Sequence, residues 1–92
     1  MPKARLHASV HGRVQGVGFR YFVVEQAGRL DLTGWVRNTP GREVEVLAEG
    51  ERVDLEQLLD RLREGPLMAR VTDVRHEWSE YRGDFDTFGV AW

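Results

Sequence analysis

The chain has 92 residues, of which 13 are Lys or Arg and 15 are Asp or Glu, for a formal charge of −2. That length predicts one domain, residues 1–92, with one modest core. The absence of cysteine excludes a disulfide framework and a thiolate metal site, and the acidic balance counts against a nucleic-acid binder.

The N-terminal stretch "MPKARLHASV" lacks the apolar run of a signal peptide, and no segment is long enough to span a membrane. A cytoplasmic location is therefore expected. Leu6, Ala8 and Val10 alternate with Arg5, His7 and Ser9, the period of a half-buried strand. "GRVQGVGFR", Gly12 to Arg20, then gathers three glycines, one amide and two arginines into nine residues. Beyond it, Phe19, Phe22, Val23, Ala27 and Leu30 mark one face of a helix. Gly28 inside that helix costs about 0.5–1 kcal/mol relative to alanine.

"LTGWVRN" and "REVEVLAEG" read as two strands joined in a hairpin across "TPG". Pro40 and Gly41 suit the centre of a type II turn, with a positive φ at Gly41. Val44, Val46 and Ala48 share one side of the third strand. Glu43, Glu45 and Glu49 share the other, which predicts a solvated face, and Glu51 is expected to be solvated as well. Leu55, Leu58, Leu59 and Leu62 define a second helix, with Asp54 and Glu56 near its positive end and Gly65-Pro66 as its stop. "ARVTDVRHEW" reads as a fourth strand. Val71 and Val74 have opposite parity there, so a bend or bulge lies between them. Phe88, Val90 and Trp92 alternate in a last short strand. The order β-α-β-β-α-β, with two helices on one face of an antiparallel sheet of four to five strands, predicts the ferredoxin-like α/β sandwich.

A strand that runs through a glycine-rich loop into a helix presents unpaired N–H groups at the positive end of a dipole, a geometry that binds anions. Arg20 opens the helix, and its guanidinium can grip two phosphate oxygens. The loop is neither a P-loop nor a dinucleotide fingerprint, because it lacks Lys-Ser or Lys-Thr at the required spacing and Tyr21 stands where the third glycine belongs. A loop whose glycines only make a turn has the same composition. Asn38 ends the second strand on the side of Val36, the side given to the helices. An amide there can hold a water without taking its proton; the plainer alternative is a turn-forming asparagine before "TPG".

"VHGRVQGVGFR", Val10 to Arg20, and "GWVRN", Gly34 to Asn38, with Val44 and Gly50 beyond, resemble the two signatures of the acylphosphatase family. The similarity continues through "GPLMARV" and "FGV" and so covers essentially the whole chain. The resemblance implies hydrolysis of carboxylate–phosphate mixed anhydrides, without metal or organic cofactor, by direct attack of water. It implies that Arg20 binds the phosphate and Asn38 orients the water. It further implies a phosphate cradle built by the backbone of Gln15, Gly16, Val17, Gly18 and Phe19. Two positions depart from the pattern: the family's hairpin glycine falls where this chain has Arg42, and its glycine after the first helix falls at Asp31. The first leaves the turn type open, with the glycine one place earlier at Gly41, and the second makes the helix cap slightly less favourable where a positive φ is required.

The chemistry agrees with that small inventory. A phosphate monoester releases an alkoxide, which needs an acid or a metal. An acyl phosphate releases a carboxylate whose conjugate acid has a pKa of about 4, so it leaves without a proton. The partner expected is a small-molecule acyl phosphate, with inorganic phosphate as product and competitive inhibitor. Nucleic acid and membrane are not expected partners, and a free-standing monomer is the simplest expectation. The alternative is a non-catalytic ferredoxin-like binding or regulatory module for a phosphate-bearing ligand. An RNA-binding version is disfavoured by the acidic third strand, which has no aromatic residue. His7, His11 and His76 lack the spacing of a metal site. Trp35, Trp78 and Trp92 read as packing residues, Tyr21 as an exposed helix residue, and Arg13, Arg37 and Arg42 as surface charges able to steer an anion.

Overall fold

The computed structural model describes residues 2–92. Its elements run β1 (Lys3–Arg13), α1 (Phe19–Arg29), β2 (Thr33–Asn38), β3 (Val44–Glu51), α2 (Arg52–Glu64), β4 (Arg70–Glu80) and β5 (Phe88–Val90). The sheet order is β4-β1-β3-β2-β5. The four longer strands pair antiparallel, and β5 adds to β2 in parallel, with Val90 beside Val36. This is the ferredoxin-like sandwich that the alternation patterns predict.

The reason is the period-two pattern. Ala4, Leu6, Ala8 and Val10 of β1 and Val44, Val46 and Ala48 of β3 all point to one side and are buried. Val23 and Ala27 of α1 and the four leucines of α2 close over them. The bulge expected in β4 is present. His11 pairs with Asp73 and Gly12 with Val71, so Thr72 is the extra residue.

The opposite face of the sheet corrects the expectation of solvated acids. Glu49 is 1% exposed. Its carboxylate accepts N–H bonds from Arg82, Gly83 and Asp84, at 2.8, 3.1 and 3.2 Å, and a 3.2 Å bond from Arg5 Nε. The segment after β4 folds over the sheet to supply those amides, which short-range alternation does not report. Glu45 lies 2.6 Å from both His7 Nε2 and Arg37 Nε. Burial pushes its carboxyl up, but those hydrogen bonds and charges outweigh it and hold the carboxyl below the usual range. Glu43 meets Ser9 Oγ at 3.3 Å and His11 Nδ1 at 3.0 Å. Cross-strand pairing of β1 with β3 places basic residues against this acidic row.

The hairpin turn also differs from expectation. Arg42 N–H donates to the Thr39 carbonyl, closing a turn on Pro40 and Gly41, but the positive φ (66°) falls on Arg42 and not on Gly41. That is the pattern of a type I turn followed by a left-handed residue, the three-residue hairpin geometry that favours glycine at the last position. Asp31 is in the same state, with φ 55°. It follows the last turn of α1, where Asp31 N–H reaches the Gly28 carbonyl and Leu32 N–H the Ala27 carbonyl, a Schellman closure.

Each of these left-handed positions carries a strained side chain, while Gly28, exposed within α1, has nothing within 4 Å of where a Cβ would stand. Asp31→Gly, Arg42→Gly and Gly28→Ala are each expected to stabilise the fold by about 0.5–1 kcal/mol. At roughly 4–8 °C per kcal/mol for a domain of this size, thermal melts of the single variants resolve each effect.

Candidate active site

The residues between β1 and α1 form a turn that, among the described residues, donates none of its backbone N–H groups to another backbone group. Gly16 and Gly18 hold it in shape with φ values of 72° and 78°, which side-chain-bearing residues rarely adopt. A Cβ at either would meet no protein atom within 4 Å, so both glycines border open space. Gly18 is also the N-cap of α1. No side chain caps that end, and no acidic residue lies in its first turn. The N–H groups of the first turn and the positive end of the dipole therefore face outward.

That open space is a cavity of about 250 Å³ at the rim of the sandwich. Gly16, Gly18, Phe19 and Arg20 line one part of it, and Asn38 enters from the end of β2. Asn38 has the parity of buried Val36, so the pleat turns its side chain to the helix side where the loop lies. Val14, Tyr21, Val90 and Trp92 complete the lining. Arg20 is half-buried and, among the described residues, has no carboxylate within 4 Å. Its guanidinium lies 4.9 Å from the centre of the Trp92 ring. A cation that is held by an aromatic face but has no counter-ion suits binding of an external anion.

The other two loop residues named from sequence do not line the cavity. Val17 packs against the core. Gln15 turns its side chain away and donates to the Thr39 and Glu43 carbonyls, at 2.9 and 2.7 Å. This tie joins the loop to the hairpin that carries Asn38. Nothing in the spacing of Gln15 and Thr39, which are 24 residues apart, signals it. Gln15→Ala is expected to destabilise the fold by about 1 kcal/mol, the net worth of hydrogen bonds lost between the loop and the hairpin. Urea unfolding of the variant checks it.

Trp92 corrects the packing assignment: it is 93% exposed and stands beside Arg20. Trp35 and Trp78 are half-buried, as packing residues should be. Tyr21 is exposed on α1, as expected. Arg37 is committed to Glu45 on the far face of the sheet. Arg13 and Arg42 line a separate, more open depression together with Gly12, Val14 and Gln15. Among the described residues, no group of three or more His, Asp or Glu is placed to hold a metal ion. No helix among them is long and apolar enough to cross a membrane.

Fold and cavity together define a small α/β sandwich with a loop, a helix end and an arginine arranged around one cavity at its rim. The acylphosphatase family profile matches residues 6–90. An acylphosphatase of Moorella thermoacetica is 48% identical over 84 residues, covering 91% of this chain and 90% of the relative. One of Anaeromyxobacter is 48% identical over 87 residues, covering 95% and 94%. The crystal structure of the Bacillus subtilis acylphosphatase superposes with a TM-score of 0.93 at 36% identity, covering 97% of this chain and 99% of that one. The chain belongs to the acylphosphatase family.

Proposed function

We propose that the backbone of residues 15 to 19 and the Arg20 guanidinium hold the phosphate of an acyl phosphate, and that the Asn38 amide orients the water that attacks it. Family membership over nearly the whole chain makes the reaction the hydrolysis of acyl phosphates to carboxylate and inorganic phosphate. The observation that carries the assignment of residues is the convergence of Gly16, Gly18, Arg20 and Asn38 on one cavity.

In this scheme a water oxygen forms a bond to phosphorus as the bond from phosphorus to the acyl oxygen breaks. The carboxylate leaves with the electron pair, and both protons of the water stay with the phosphate, giving the dihydrogen form. Such transition states are loose and place little demand on a base, so positioning and charge stabilisation dominate. Arg20 and the loop amides meet the charge on the equatorial oxygens. The Asn38 side-chain oxygen accepts from the water and fixes its direction of approach. One chain supplies every residue named, which supports action as a monomer, and a cysteine-free chain suits the cytoplasm.

The test is a crystal soaked with sulfate, paired with orthophosphate inhibition kinetics. The anion is expected between the loop and Arg20, and orthophosphate is expected to compete with substrate. Sulfate bound elsewhere, or purely noncompetitive inhibition, removes the assignment.

A further inference from the structure

Tyr21 and Trp92 are large, apolar and exposed, at 83% and 93%, yet both line the cavity that contains Arg20 and Asn38. Exposed aromatic surface on a pocket that also holds convergent polar and charged groups marks a place where a ligand supplies the missing contact. We propose that Tyr21 and Trp92 form an aromatic subsite for the acyl group, so that the enzyme favours acyl phosphates with flat, apolar acyl groups over acetyl phosphate. The inference rests on the assignment of the phosphate to the loop and Arg20.

The cavity, its lining and the substrate's connectivity support it. A phosphate and one water leave much of a 250 Å³ cavity unfilled, since a water takes roughly 30 Å³. The acyl carbon is joined to the phosphorus through one oxygen, so the group it carries must occupy the same cavity or its mouth. Among the described residues the two rings stack neither on each other nor on another ring, so the faces of Tyr21 and the face of Trp92 away from Arg20 have no aromatic partner and can receive a planar guest. The Arg20 guanidinium also lies over one face of Trp92, which places the indole beside the arginine assigned to the phosphate. Val14 and Val90 extend the apolar lining.

The experiment compares kcat/KM for benzoyl and acetyl phosphate in the wild type, Tyr21→Ala, Trp92→Ala and Tyr21→Phe. An aromatic contact contributes about 0.5–1.5 kcal/mol, so each alanine variant is expected to reduce the benzoyl-to-acetyl ratio by about 2- to 10-fold. Tyr21→Phe keeps the ring and is expected to keep the ratio. Trp92→Ala also frees Arg20, which lowers both rates, but a common factor cancels in the ratio. A ratio unchanged in both alanine variants overturns the proposal, as does a Tyr21→Ala loss confined to orthophosphate affinity. Failure of the underlying assignment reads differently: Arg20→Gln would then bind orthophosphate as the wild type does, whatever the ratio.

Discussion

Arg20→Gln is expected to lower kcat/KM for an acyl phosphate by roughly 10³-fold and to weaken orthophosphate inhibition at the same time. Hydrogen bonds to charged groups contribute about 1.5–3 kcal/mol each, and a guanidinium can make two to one phosphate. Arginines that meet developing charge in phosphoryl transfer contribute on the order of 10³–10⁵ in rate. The fold is expected to survive the change. Arg20 is half-buried, has no carboxylate partner among the described residues, and loses only its stacking on Trp92. Stability should therefore shift by no more than about 0.5 kcal/mol. Urea unfolding beside the kinetics separates the two effects. An Arg20→Gln enzyme with ordinary phosphate inhibition would leave the cavity without its anion-binding group.

Asn38→Ala is expected to split the two functions. Turnover falls by roughly 10²–10³-fold, the usual size for removal of one preorganised polar group, while the orthophosphate inhibition constant changes little. The reason is geometric: Asn38 reaches the cavity from β2, and the loop and Arg20 belong to the β1–α1 connection and the first turn of α1. Its place in the hairpin makes a structural explanation possible, and the pattern of loss decides. If Asn38 only shaped the turn, phosphate binding and turnover would fall together with stability. Retained turnover in the alanine variant would remove the water-positioning role.

Much of this was legible in the chain because it depends on local periodicity. Leu6, Ala8 and Val10 share a face by the pleat alone, and the α2 leucines share one by the helical repeat. The bulge in β4 followed from the parity of Val71 and Val74. Gly16, Gly18, Arg20 and Asn38 were legible as candidates because an anion cradle needs particular residue types at a strand-to-helix junction. Composition favours Gly41, but the turn places the left-handed state on Arg42.

The sequence by itself determined the order of elements, the buried face of each strand and helix, and the residue types able to bind a phosphate and direct a water. Each of those follows from backbone geometry acting over a few neighbouring residues. Only the tertiary structure decided that Glu49 is enclosed by amides from the segment after β4, that Gln15 ties the loop to the hairpin, and that Trp92 stands against Arg20. Those contacts join residues 24 to 72 positions apart, through strand pairings and a parallel β2–β5 register that no local pattern encodes. Sequence spacing places a side chain on a face, and packing of the whole sheet sets what that side chain meets.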